Sequence, residues 1–273
     1  MGIAKVVDQR PLFYDAVNEA GLCMAGLNFV GNAVYDVNKG AKYNIATFEL
    51  IPFILTKCKS VSEARKLISK TNINGEGFDE RYGASELHFI IADNNECIVV
   101  ESTSCGICVY DNKLGVMTNN PPFWYHETNI ANYMHLTNEF VENRLSKNSE
   151  ITAYSRGMGA IGLPGDYSSA SRFVRAFFNK EHTEIESDEV MGVNSFFHVM
   201  GSVNVPLGTV KTEAGEYMHT VYTSCIDADN LTYSYKTYSS GNIRCVRMNN
   251  CNLDNKNLYV YPIDFSGDVQ VLN

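Results

Sequence analysis

A chain of 273 residues that is 45% hydrophobic, 11% aromatic and 19% charged has the apolar material for a substantial core and too much of it for a disordered protein. Its formal net charge of −9, with no block of Lys or Arg to neutralise phosphates, argues against a nucleic-acid partner. The richest apolar run, "IATFELIPFILTKC", is interrupted by Glu49 and Pro52, so no membrane span is expected; with no secretory leader, and Val6 where a myristoylation start needs Ser or Thr, the expected location is the cytoplasm.

The chain opens on an apolar, β-leaning run, Gly2–Val7, with further strands expected over Leu12–Val17 and Leu22–Phe29 and a turn at "NEAG". Helices are expected over Ala46–Cys58, largely apolar, and Ser60–Lys70. In the second, Ser60 and Glu63 have capping-box spacing, and Val61, Ala64, Leu67 and Ile68 form one stripe. A polar loop, "TNINGEGFDERYGAS", leads into a meander whose strands are "LHFIIAD", "CIVVEST", "ICVYD" and "GVMTN". Beyond a proline pair, Ala170, Phe173, Val174, Phe177 and Phe178 recur at helical spacing, as do Val190, Val193, Phe197 and Met200. The last strands expected are "HTVYTSC", "LTYSYKTY", "IRCVRM" and "NLYVYPI". Strands clustered with strands and helices with helices indicate an α+β protein with mainly antiparallel sheets, in a single domain over 1–273.

Several motifs carry little chemistry. The eight cysteines are scattered, and Cys105-Gly-Ile-Cys108 lies between two strands with no second pair in register for zinc and no helix for a redox motif. Gly157-Met-Gly159-Ala-Ile-Gly162 fits a dinucleotide fingerprint, but Pro164 and Gly165 follow where the helix should be. His88 opens a strand and His198 lies in a helix; no histidine has metal-ligand spacing, so neither a metal nor a cofactor is implied. The acidic pair Asp188-Glu189 suits the first turn of a helix.

Three polar residues stand out. Asn28 ends an apolar strand, where Asn is disfavoured, and alternation groups it with Leu22, Met24 and Gly26, the glycine leaving room beside it. Asn119 ends the "GVMTN" strand, and Arg172 lies at the edge of the buried face of its helix. Taken singly, Asn28 suits the start of a turn, Asn119 an Asn-Pro-Pro turn, and Arg172 a solvated face with Arg175 and Asn179.

The motifs "AGLNF", "LHFIIAD" followed by "VVE", "LGVMTNNPPF", "IGLPGDYSSASRFVR", "GSVNVPLG" and "HTVYTSC" occur in that order. The set closely resembles the choloylglycine hydrolase family, the bile salt hydrolases and penicillin V acylases, over essentially the whole chain. The resemblance implies an N-terminal-nucleophile hydrolase fold, an αββα sandwich, assembled as a homo-tetramer. It implies hydrolysis of a linear amide by an N-terminal Cys whose own α-amine is the base, with an early Arg and Asp beside it. It maps further site residues onto Asn28, Asn119 and Arg172: amide N–H groups to receive the oxyanion, and a guanidinium that favours thiolate. Asn at position 28, where several penicillin V acylases carry Tyr, favours glycine- or taurine-conjugated bile acids as the small amphipathic amide substrate. The Cys, Arg and Asp find no counterpart, because Met1 aligns after the family's first strands. The expectation is therefore a chain without its N-terminal catalytic segment, inactive alone, with a penicillin V acylase-type amidase or a non-catalytic bile-acid-binding remnant as the alternatives.

Overall fold

The computed structural model describes residues 1–273 except 39, 186, 187, 256, 268 and 273. The opening run is strand β1 (Gly2–Val7), which returns as β2 (Arg10–Val17). The turn residues Asp8 and Gln9 both have positive φ (47° and 62°), the geometry whose twist matches flanking antiparallel strands. In chain order there follow β3 (Cys23–Asn28), β4 (Tyr43–Ala46), α1 (Thr47–Lys57), α2 (Val61–Ile68), β5 (Thr71–Asn74), β6 (Leu87–Ala92), β7 (Cys97–Thr103) and β8 (Gly106–Asp111). The second half gives α3 (Phe123–Asn129), α4 (Ser169–His182), α5 (Glu189–Gly201), β9 (Val210–Lys211), β10 (Tyr217–Met218), β11 (Tyr222–Asp227), β12 (Thr232–Thr237) and β13 (Arg244–Arg247).

A six-stranded antiparallel sheet runs β1-β2-β3-β6-β7-β8, and a three-stranded one runs β11-β12-β13. Alternation assigns the faces of the larger sheet. Met24, Phe89, Ile91, Ile98 and Val100 point to one side, where Leu50 and Ile54 of α1 and Val61 and Ala64 of α2 cover them. Full burial of each such Leu, Ile or Phe side chain contributes about 1.5–3 kcal/mol. The opposite face meets the smaller sheet: Ile3 packs on Tyr233 and Tyr235, while Asp15 accepts hydrogen bonds from Ser224 Oγ (3.0 Å) and Tyr233 Oη. Helix α5 lies on the far side of β11–β12, where Lys236 Nζ sits 5.1 Å from the Phe197 ring centroid. The layers are thus helix, sheet, sheet, helix. A satellite core of Val99, Val116, Phe123 and Phe173 docks α3 and α4 at one end of the inner face.

Local signals explain most boundaries. Ser60 Oγ accepts from Glu63 N (3.3 Å) and caps α2, but the Glu63 carboxylate reaches back to Lys59 N (2.8 Å), one residue short of a full capping box. Four expectations need correction. The loop expected from Thr71 onward begins with β5, which pairs in parallel with β4. Its asparagines are satisfied laterally, Asn72 Nδ2 donating to Asn44 Oδ1 (3.1 Å) and Asn74 Nδ2 to Asn38 Oδ1 (2.8 Å), so a polar sequence becomes a buried strand. "GVMTN" forms no ladder; its backbone groups go to side chains instead. "NLYVYPI" is irregular and largely exposed, Leu258 and Tyr259 included, and pairs with no strand among the described residues. Gly26 makes no room beside Asn28, since a Cβ there would stand 3.1 Å from the Phe89 ring.

Candidate active site

The three site residues predicted from sequence come together where β3 ends, α4 begins and the segment before α3 passes between them. Asn119 is the hub. Its Nδ2 donates to the Asn28 carbonyl (2.9 Å), and its Oδ1 accepts from Arg172 Nη2 (2.7 Å). A guanidinium only donates, so Arg172 must face the amide oxygen, which fixes the amide N–H groups toward Asn28. Arg172 is itself aimed by a second bond, Nε to the Tyr167 carbonyl (3.2 Å). Burial, reinforced by the neighbouring Arg175 charge, draws its pKa below the ordinary value; an arginine remains cationic all the same. Asn28 joins the cluster through its carbonyl, with its side chain at the exposed end of β3.

The backbone of residue 119 is held as tightly as its side chain. Asn119 N donates to Ser169 Oγ (2.8 Å), Ser169 Oγ donates to Thr118 Oγ1 (2.9 Å), and Thr118 Oγ1 donates to the Ser169 carbonyl (3.1 Å). The Asn119 carbonyl accepts from His126 Nε2 (3.0 Å). Burial lowers the His126 pKa and keeps the ring neutral, stacked on Phe173 at 4.8 Å between centroids.

The "LPGDYSSASRFVR" stretch builds the start of α4. Ser168 caps the helix by accepting from Ser171 N (3.3 Å), and Asp166 accepts from Ser168 N (2.9 Å) and Ser171 Oγ (2.5 Å). Hydrogen bonds from Ser168 and Ser171 hold the Asp166 carboxyl well below the usual range. Arg175 is buried, not on a solvated face, and ties the motif to the end of α5 through the carbonyls of Ser202 (3.0 Å), Pro164 (2.7 Å) and Asp166 (2.6 Å). Sequence reasoning passed over Thr118, His126 and Ser169. It also passed over Glu101, fully buried in an apolar strand; a charged residue in "CIVVEST" was the available signal.

One exposed apolar side chain lies close by. Val30 follows Asn28 closely and is 62% exposed, and its carbonyl accepts from Asn120 Nδ2 (2.5 Å). A groove of about 740 Å³ lined by Arg65, Asp93, Glu96 and Asp111, and another of about 340 Å³ lined by Val205, Tyr222, Lys236 and Tyr238, lie elsewhere and include none of the three residues. The glycines of the fingerprint-like motif serve the chain's own packing: Gly157 has φ 76°, and a Cβ on Gly159 would stand 2.4 Å from the Thr137 carbonyl. Among the described residues no cluster could hold a metal ion, and no helix is long and apolar enough to cross a membrane.

The four layers of helix, sheet, sheet and helix are the N-terminal-nucleophile hydrolase fold. The family model for linear amide C–N hydrolases, choloylglycine hydrolase family, matches residues 1–261, and the chain belongs to that family. It is 44% identical to a bile salt hydrolase/transferase of Lactiplantibacillus plantarum, covering 100% of this chain and 84% of that protein. A bile salt hydrolase/transferase of Bifidobacterium longum is 35% identical, over 94% of this chain and 81% of its own. Among solved structures, a variant of the conjugated bile acid hydrolase from Clostridium perfringens superposes with a TM-score of 0.92 at 31% identity, covering 100% of this chain and 83% of that one. Penicillin V acylase from Agrobacterium tumefaciens, at 21% identity over 87% of this chain and 66% of its own and a TM-score of 0.68, shares the fold.

Proposed function

We propose that the Asn28–Asn119–Arg172 cluster is the oxyanion side of an amidase site for glycine- or taurine-conjugated bile acids. The observation that carries this is the oriented amide of Asn119: Arg172 holds its oxygen and the Asn28 carbonyl takes one N–H, so the second N–H is left in fixed geometry to serve as the oxyanion donor. A preorganised donor of this kind lowers the barrier to a tetrahedral intermediate by about 3 kcal/mol. The apolar rim at Val30 suits the steroid face of an amphipathic acid, and the guanidinium supplies positive charge near its polar end. The names of the relatives support this substrate class.

The proposed chemistry is attack of a thiolate on the amide carbonyl, breaking the C–N bond and releasing glycine or taurine as the protonated amine, to give an acyl-thioester that water hydrolyses to the free bile acid and the thiol. The nucleophile implied by the family is an N-terminal Cys with a free α-amine. The eight cysteines of this chain are internal, and burial pushes the thiol of Cys23 up to about 12 and those of Cys97 and Cys225 up to about 11. These 273 residues alone are therefore proposed to bind conjugated bile acids and not to turn them over; assembly into a homo-oligomer is proposed with them. Titration calorimetry with glycocholate, alongside chromatography for released glycine, tests both parts. Saturable binding without glycine release is the expected result; absent binding overturns the substrate assignment, and steady release overturns the assignment of the nucleophile.

A further inference from the structure

Behind the cluster, one buried pair touches the chain on both sides of it. Continuing the β6–β7 register one step past Phe89↔Val100 sets His88 opposite Glu101, both on the inward face and 1% and 0% exposed. His88 Nδ1 lies 3.0 Å from Glu101 Oε1, and His88 Nε2 lies 2.9 Å from the Thr118 carbonyl. Glu101 Oε1 also accepts from Phe123 N (2.9 Å), at the first residue of α3. The imidazole lies parallel to the Phe29 ring, with centroids 4.4 Å apart. His88 thus holds the residue before Asn119 and the residue after Asn28, while Glu101 holds the far end of the same 118–123 segment.

We propose that His88 and Glu101 are the positioning pair of this site, clamping residues 118–123 so that the Asn119 amide stays aimed between Asn28 and Arg172. The inference rests on reading those three residues as the site. The Thr118 carbonyl can only accept, so Nε2 carries a proton. A second proton then lies on the line between Nδ1 and Oε1. On nitrogen it makes an imidazolium and a carboxylate; on oxygen, two neutral groups. Both placements leave the pair neutral overall and complete both bonds, which is what burial at this depth requires. In an ordinary core pair the outward bonds could end on any buried partner; here both end on the one segment, residues 118–123. The bonds that run from it to Thr118 and Phe123 serve the segment carrying Asn119.

The test uses variants that separate these two demands. Gln in place of histidine sets an amide nitrogen near the former Nε2, and Asn sets one near the former Nδ1. His88→Gln therefore keeps the bond to Thr118, and His88→Asn keeps only the contact with Glu101. The readouts are the Asn119 side-chain amide signal in ¹⁵N NMR of the unliganded protein and glycocholate affinity. The expected result is a near-native Asn119 signal and affinity within about threefold in H88Q, against a displaced or broadened signal and affinity weakened about tenfold or more in H88N. Indistinguishable H88Q and H88N signals overturn the proposal. If H88N does not fold, Glu101→Gln decides: a Gln side chain cannot share the proton and also accept from Phe123 N at one atom. Faster Phe123 amide exchange with a shifted Asn119 signal supports the clamp, and native values for both overturn it. Should the wild-type chain bind no glycocholate, the substrate assignment fails, and the Asn119 signal still decides for or against the clamp.

Discussion

Truncating Asn119 to alanine removes two hydrogen bonds of different weight. The bond from Arg172 Nη2 (2.7 Å) is partly buried and charge-assisted; with some water returning to the guanidinium, its loss costs about 1.5 kcal/mol. The bond to the Asn28 carbonyl (2.9 Å) is exposed, and water replaces it at a cost of about 0.5 kcal/mol. The sum, about 2 kcal/mol, corresponds to a fall in Tm of about 5 °C for a chain of this size. Asn119→Ala, Arg172→Met and the double variant form a cycle, read by denaturant unfolding. If the arginine holds the amide, the coupling energy is about 1–1.5 kcal/mol. Additivity of the two substitutions within about 0.3 kcal/mol would refute the orientation argument.

Asp15→Asn tests the contact between the sheets. Burial raises the Asp15 pKa against the opposing bonds from Tyr233 and Ser224, so the native state binds more protons than the unfolded one and the wild type loses stability as pH rises through that window. Asn has no such loss; unfolding from about pH 4 to pH 7 should show the variant gaining on wild type with rising pH, and a variant that loses ground to wild type over that range contradicts the assignment. At the start of α2, Ser60→Ala should cost about 1 kcal/mol. Asp93→Ala should cost about 2 kcal/mol at neutral pH, because its carboxylate receives Val61 N (2.7 Å), Asn95 N (2.8 Å) and Glu96 N (2.8 Å). Burial pushes the Asp93 pKa up, but these bonds outweigh it and leave it lowered; the D93A effect should therefore fade as pH falls through the folded value, as acid unfolding of both proteins will show. Gly159→Ala places a Cβ 2.4 Å from the Thr137 carbonyl and 2.9 Å from the Glu139 carbonyl, and should destabilise by about 1–3 kcal/mol in a thermal melt; unchanged stability would remove the packing explanation for that glycine.

Alternation and periodicity made the inner strands and α1, α2 and α4 legible, because each buries one face or stripe; α5 was legible by its period although only Phe197 of its stripe is buried. Two kinds of segment escaped. In Thr71–Asn74 and Gly115–Asn119 the backbone or side chains are satisfied by residues outside the run: asparagine partners in the first, and in the second the distant His88 and Ser169 together with the nearer His126. In "NLYVYPI" local β propensity was high, and among the described residues no strand pairs with it. The proposed site residues stood out as outliers, Asn28 in an apolar strand and Arg172 at a stripe edge, and the family motifs joined them. Their wiring was not: nothing in the local sequence of Asn119 says that Arg172 takes its oxygen and the Asn28 carbonyl its N–H.

The central claim is that the oriented Asn119 amide faces the bound substrate. Titrating taurocholate into the ¹⁵N-labelled chain and following the Asn119 side-chain amide tests it most directly. The account predicts a saturable shift of that signal, at the same midpoint as calorimetric binding, and its loss in Arg172→Met. Saturable binding that leaves the Asn119 signal unmoved would contradict it.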